Sequence, residues 1–295
     1  MQRRNFIAAT AAGIGLAATG LHGRQTPAGA TAKTGYAPVN GLNLYYEVHG
    51  TGEPLVLLHG GLGASAMFAG ILPELSTGRQ VIAVDLQAHG RTADIDRPMT
   101  FAAMASDIAG LLKHLGVAKA DVMGYSLGGG VAAHVAFAYP EAVRKLVVVS
   151  TAFRKDGWYP EINAGMAQVG AAAAEPMKQT PMYQMYAGIA PRPQDWPVLL
   201  TKIGELLRKD YDWSQSVAAV KSPTFLVFGD ADAVRTAHAV QFFELLGGGK
   251  KDGGWDGSGI SNARLAILPG ATHYNIFTSP ALVRATTEFL QGDKT

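Results

Sequence analysis

Beyond residue 32 the chain alternates between short apolar runs and amphipathic stretches. Leu55-Val56-Leu57-Leu58, Val81-Ile82-Ala83-Val84, Asp121-Val122-Met123, Lys145 to Ser150, Thr224 to Phe228 and Leu265 to Leu268 are mostly apolar, with polar residues only at their ends and no polar alternation. A strand reads this way when it is buried on both faces. Thr100 to Leu115 carries a helical period with Thr100 as N-cap, and Gly129 to Tyr139 forms a second helix stopped by Pro140. Ala37 to His49 reads as an extended opening, with Asn40-Gly41 as its hairpin turn. Strands alternating with helices predict an α/β fold: a mostly parallel central sheet with helices on both faces.

The alternation breaks between Thr151 and about Lys221. Within Phe153 to Val220 lie eight aromatic residues, three of the four tryptophans and four methionines. This segment is expected to form a helical cap insertion over the carboxyl edge of the sheet. The predicted organisation is therefore residues 33–152 as the first part of the core, 153–220 as the cap and 221–295 as the second part of the core.

The amino-terminal segment, residues 1–32, has a charged start, an apolar Ala/Gly-rich run from about Phe6 to Leu21 and small residues at Ala30-Thr31-Ala32. That is the pattern of an export signal, and the run is shorter than the roughly 20 apolar residues of a membrane span. Arg3-Arg4-Asn5-Phe6-Ile7 resembles a twin-arginine motif, although Gln2 stands where serine is usual. A periplasmic or secreted protein is expected, exported already folded. Removal of the segment takes the formal charge from +2 to −1, because it holds Arg3, Arg4 and Arg24 and no acid. The remaining body is nearly neutral, with no basic block of the kind that binds nucleic acid. The chain has no cysteine, which excludes a thiol nucleophile and disulfides.

Chemistry concentrates where the apolar runs end. In Gly124-Tyr125-Ser126-Leu127-Gly128 a serine sits between glycines, directly after one strand and before one helix. A sharp strand-to-helix turn holds its central residue in an unfavourable conformation, and small neighbours let the chain pass. A serine hydroxyl is a poor nucleophile without a base. Of the eight histidines only His273, in Leu-Pro-Gly-Ala-Thr-His-Tyr, closely follows the last strand. Phe228-Gly229-Asp230-Ala231-Asp232 supplies two carboxylates that could orient it; Asp232, further along the loop, is favoured over Asp230, whose simpler role is to close the turn. The backbone N–H of Leu127 and that of Gly61, in His59-Gly60-Gly61-Leu62-Gly63, are candidates for an oxyanion hole. Gly61 is chosen because a residue without Cβ lets a carbonyl approach.

These stretches together resemble the α/β-hydrolase family over nearly all of the chain beyond the signal. HGGLG is similar to its oxyanion loop, GYSLGG to its nucleophile elbow, FGDAD to its acid loop and PGATHYN to its histidine loop. Asp85-Leu86-Gln87-Ala88-His89-Gly90-Arg91-Thr92 resembles the family's D-x-x-G-x-G-x-S, with Ala88 and Thr92 in place of a glycine and a serine. The resemblance implies Ser126, Asp232 and His273 as a catalytic triad, with the N–H groups of Gly61 and Leu127 as its oxyanion hole; nothing in the sequence points to a cofactor, and no metal is expected. A serine at the elbow departs from the haloalkane dehalogenases and epoxide hydrolases of this fold, which carry aspartate there.

The expected substrate is a small to medium hydrophobic ester or lactone. The alternatives are carbon–carbon bond hydrolysis or peracid formation by the same triad, and a non-catalytic binding protein on the same fold. Met67, Phe68, Tyr125, Trp158 and Tyr274 are the expected pocket residues. The glycine-rich stretch Gly247 to Gly259 is read as a surface loop, with Trp255 as a contact in a homodimer.

Overall fold

The computed structural model describes residues 32–292. The segment expected to be an export signal, residues 1–32, therefore lies outside the described residues except for Ala32. The chain opens with β1 (Lys33–Val39) and β2 (Leu42–His49), joined by Asn40 and Gly41 at φ of 49° and 84°. Positive φ at both turn residues is the geometry that matches the right-handed twist of a hairpin, and Asn-Gly adopts it readily. There follow β3 (Glu53–Leu58), α1 (Leu72–Leu75), β4 (Arg79–Val84), α2 (Phe101–His114), β5 (Ala120–Tyr125), α3 (Leu127–Ala138) and β6 (Val143–Val149). Five helices come next without an intervening strand: α4 (Pro160–Ala167), α5 (Ala174–Met177), α6 (Pro181–Ile189), α7 (Trp196–Arg208) and α8 (Ser214–Ala218). The chain then returns to the sheet with β7 (Thr224–Ala231), α9 (Thr236–Leu245), β8 (Ala263–Thr272) and α10 (Pro280–Gln291).

The eight strands form one sheet in the order β1-β2-β4-β3-β5-β6-β7-β8. β1 and β2 are antiparallel to their neighbours, and every pairing from β4 to β8 is parallel. Because successive side chains point to opposite faces, each apolar run feeds two cores. Val56, Leu58, Ile82, Val84, Val122 and Val148 pack on one face with Met104, Ile108 and Leu111 of α2 and Val131 and Val135 of α3. Leu55, Leu57, Val81, Ala83, Met123 and Val147 pack on the other face with Leu72 and Leu75 of α1 and Leu282, Val283 and Leu290 of α10. At the start of α2 the Thr100 hydroxyl accepts the Ala103 N–H at 3.0 Å, satisfying one of the helix's free donors.

The parallel strands all point the same way, so the ends of β3, β5, β6, β7 and β8 deliver their following loops to a single edge. The 247–259 loop lies at the opposite edge, since β8 begins at Ala263 beside Thr224, the first residue of β7. There Asp252 and Asp256 accept the N–H groups of Gly254 and Ser258 and shape local turns, and the Trp255 side chain is fully exposed. Among the described residues no helix is long and apolar enough to cross a membrane.

Candidate active site

β5 ends in the sharp turn anticipated by its glycines. Ser126 has φ 53° and ψ −116° and immediately precedes α3. A conformation of this kind costs about 1–3 kcal/mol and persists only where the surroundings enforce it. Here the Ser126 N–H donates to the Val149 carbonyl at 2.9 Å, and its own carbonyl accepts from Gly129 and Gly130 N–H at 3.0 and 3.2 Å. The Thr151 hydroxyl donates to the same carbonyl at 2.8 Å. The flanking glycines are obligatory because backbone meets backbone. A Cβ on Gly124 would lie 2.0 Å from the Gly128 oxygen, and one on Gly128 would lie 2.4 Å from the Leu58 oxygen.

His273 follows β8 and reaches back to the elbow. Its Nε2 is 3.1 Å from Ser126 Oγ and its Nδ1 is 3.1 Å from Asp232 Oδ1. The network is satisfied when Nδ1–H donates to the carboxylate and Nε2 accepts the serine hydroxyl. The Tyr125 hydroxyl donates to the His273 carbonyl at 2.5 Å and fixes the loop from below. Of the two carboxylates at the end of β7, Asp230, still within the strand, is exposed, while Asp232, just beyond it, is buried and faces His273. An irregularity in the β7–β8 register between Gly229 and Ala231 re-aims the strand end and carries Asp232 inward. Burial pushes the Asp232 pKa upward. Hydrogen bonds and charge from His273, with the Ser150 hydroxyl and the Gly229 N–H, outweigh it and hold the carboxyl below its ordinary value.

The loop after β3 is braced by two buried histidines. His59 Nε2 accepts the Leu86 N–H at 3.0 Å, and its Nδ1 lies 2.7 Å from the Gly60 carbonyl. His89 Nε2 accepts the Leu62 N–H at 3.1 Å, and its Nδ1 lies 2.9 Å from the Gln87 carbonyl. Burial lowers their pKa values to about 4 and about 3, so both are neutral and each donates and accepts once. Asp85 ties the same loops together, accepting Ser65 N–H at 2.7 Å and Arg91 N–H at 2.8 Å. Thr92, at the serine position of that turn, keeps the hydroxyl function: it donates to the Asp85 carbonyl and accepts the Tyr45 N–H. Ala88, at the glycine position, takes φ 65°.

With the Leu62 N–H engaged by His89, the Gly61 N–H has no acceptor among the described residues. Leu127, the first residue of α3, likewise has an N–H without an intrahelical partner. Among protein atoms, a Cβ on Gly61 would meet Leu127 and Ile203 at ordinary contact distance, so the packing of this loop does not itself require glycine there. The positions that leave no room for a side chain are Gly60, where a Cβ would lie 2.7 Å from the Tyr125 ring, and Gly63, where one would lie 2.9 Å from the Gly60 oxygen.

A cavity of about 350 Å³ opens beside Ser126 and His273. Ile162, Met166 and Val169 line one wall and Ile203, Leu206 and Leu207 of α7 another; Phe101, Trp158, Tyr211 and Trp213 supply aromatic surface. Lys155 and Glu161 are its charged residues, and the Lys155 ammonium is hydrogen-bonded to the Leu207 carbonyl. Trp158 and Tyr274 line the cavity as expected from sequence; Met67, Phe68 and Tyr125 do not. Phe68 is fully buried in the core on the α1/α10 face, Met67 packs against that core, and Tyr125 belongs to it with its hydroxyl turned to the His273 carbonyl. The β5 parity explains Tyr125: it shares a face with Met123, away from the cavity.

A profile of the alpha/beta hydrolase fold family matches residues 53–288. The chain belongs to the α/β-hydrolase family. Within it, RutD of Caulobacter sp. strain K31, whose suggested activity is carbamate hydrolysis, is 30% identical over 281 residues, covering 85% of this chain and 96% of that protein. RutD of Azorhizobium caulinodans is 36% identical over 123 residues, 42% of this chain and 46% of its own length. The chain thus spans less than half of that relative. Among solved structures, carboxylesterase CesB of Bacillus subtilis superposes with a TM-score of 0.68 at 21% identity, covering 90% and 93% of the two chains. That likeness is one of fold.

Proposed function

We propose that this α/β-hydrolase cleaves a small to medium hydrophobic carboxylic ester or lactone through an acyl-enzyme on Ser126. The observation that carries the reading is the continuous chain from Ser126 Oγ through His273 to Asp232 at the end of an apolar cavity. His273 Nε2 takes the Ser126 proton as Oγ attacks the substrate carbonyl, and Asp232 stabilises the imidazolium that forms. The oxygen that becomes negative is received by the N–H groups of Gly61 and Leu127. His273 returns the proton to the leaving alcohol; water, deprotonated by the same ring, then releases the acid and restores the serine. In a lactone the leaving alcohol stays attached to the acyl group.

The cavity supports a substrate of limited size, near the lower end of the roughly 300–1,000 Å³ usual for small-molecule sites. A p-nitrophenyl ester series from acetate to palmitate, with Ser126→Ala as control, tests the reading. Turnover is expected to peak at roughly four to eight acyl carbons and to vanish in the variant. Equal background in both proteins at every length would refute it. Carbamate cleavage is a second reading, favoured by the near full-length similarity to Caulobacter RutD. A p-nitrophenyl carbamate and a vinylogous diketone in the same assay separate ester, carbamate and carbon–carbon bond chemistry.

We also infer export of the folded protein to the periplasm or medium. Arg3-Arg4, the apolar run after it and the small residues at Ala30-Thr31-Ala32 support this. Replacing both arginines by lysine is expected to retain the uncleaved precursor in the cytoplasmic fraction.

A further inference from the structure

β6 lies between β5, which delivers Ser126, and β7, which delivers Asp232. Its last residue is followed by Ser150 and Thr151, and these two side chains part in opposite directions. Thr151 donates to the Ser126 carbonyl at 2.8 Å. Ser150 donates to Asp232 Oδ2 at 2.5 Å. Ser150 is fully buried and takes φ 50°, a left-handed conformation that a non-glycine residue adopts only under constraint. Its N–H remains bonded to the Val227 carbonyl at 2.9 Å, so the backbone is anchored to β7 while it turns.

The Asp232 carboxylate is held on both oxygens. Oδ1 accepts from His273 and from the Val234 N–H at 3.1 Å, and Oδ2 accepts from the Gly229 N–H at 3.0 Å and from Ser150. Among its described partners other than His273, Ser150 supplies the one side-chain donor. A short hydrogen bond from a buried hydroxyl to an ionised carboxylate is among the stronger kinds, and this one holds Oδ2 while Oδ1 faces the imidazole.

We propose that Ser150 is a positioning residue for the hydrolytic reaction: its hydroxyl, aimed by the left-handed turn at the end of β6, fixes Asp232 and through it the orientation and basicity of His273. This rests on the acyl-enzyme reading above. Ser150 touches neither substrate nor nucleophile, and its effect is transmitted wholly through the carboxylate.

The test uses the rate at which a fluorophosphonate labels Ser126, which requires no knowledge of the natural substrate. Two variants separate the hydroxyl from the backbone turn. Ser150→Ala removes the hydroxyl and keeps the strained φ, whereas Ser150→Gly removes the hydroxyl and relieves the strain. Both are expected to lower the labelling rate at pH 7 about tenfold. In both, the acid limb of the pH–rate profile is expected to move to higher pH, because the carboxylate left without its donor draws a proton onto the imidazole more strongly. In an Asp232→Asn background the same changes are expected to cost less than about twofold, as groups acting as one unit are not additive. Should Ser150→Ala fail to fold, Ser150→Gly alone carries the comparison. Wild-type rates and an unmoved acid limb in the glycine variant, or an undiminished loss in the Asp232→Asn background, would overturn the proposal. Failure of wild-type Ser126 to label would instead overturn the acyl-enzyme reading on which it rests.

Discussion

The two carboxylates two residues apart at the end of β7 show how local geometry assigns chemistry. Asp230 is exposed and Asp232 is buried against His273. Asp232→Asn is accordingly expected to lower kcat by about 10³-fold or more, by offering the histidine the wrong partner for its tautomer. Asp230→Asn should stay within about twofold of wild type in the same ester assay, as surface substitutions usually do. Ser126, Asp232 and His273 were legible in the sequence because each lies within a few residues of the end of an apolar run, and the topology gathers those ends at one edge. Tyr125 was misread although its parity with Met123 on β5 was available. Ser150 was overlooked because nothing local announces that a serine ending the run VVVS bends toward the neighbouring strand.

At the level of elements, the hairpin, the parallel strands and the capped helix α2 follow from short-range pattern. The contact between cap and body does not. Which side chains of α4 and α7 enter the cavity depends on how a helical insertion settles over the sheet, and its amphipathic period says only that one face is buried. Phe101 reaches the cavity from the first residue of α2, a position that sequence alone reads as an ordinary helix start. Trp213, stacked on Tyr211 at 4.5 Å between ring centres, closes part of the aromatic wall. Trp213→Ala should enlarge the cavity and move the preferred acyl chain of the p-nitrophenyl series to greater length. By contrast, Thr100→Ala removes a cap whose own side chain does not line the cavity. It is expected to cost about 1 kcal/mol in denaturant unfolding with kcat unchanged. The elbow is less forgiving: Gly128→Ala drives a methyl into the Leu58 and His59 carbonyls and should destabilise by about 3 kcal/mol or more, with loss of activity.

Across the whole molecule, buried neutral histidines link stability to pH. Burial lowers His59 to about 4, His89 to about 3 and His238 to about 4. The unfolded chain protonates these side chains near pH 6.5, while the folded chain resists until the lower values are reached. Between those limits the unfolded state binds more protons, so stability is full above about pH 7 and falls as the pH drops. Each group contributes a slope of about 1.4 kcal/mol per pH unit at its steepest, and three together about 4 kcal/mol. Guanidinium unfolding at pH 7.5 and pH 5.0 should show a large drop in midpoint; equal midpoints would mean that these rings are charged or exposed in the folded protein.

The central claim is that catalysis proceeds through a covalent ester on Ser126, and it is met most directly by trapping that ester. The protein is mixed with its best p-nitrophenyl ester, quenched with acid during turnover, digested and analysed by mass spectrometry. The account predicts an added acyl mass on the peptide containing Ser126, absent from Ser126→Ala and accumulating in step with the burst of p-nitrophenol. Turnover in Ser126→Ala at the wild-type rate, or an acyl group on another residue while Ser126 stays free, would contradict it.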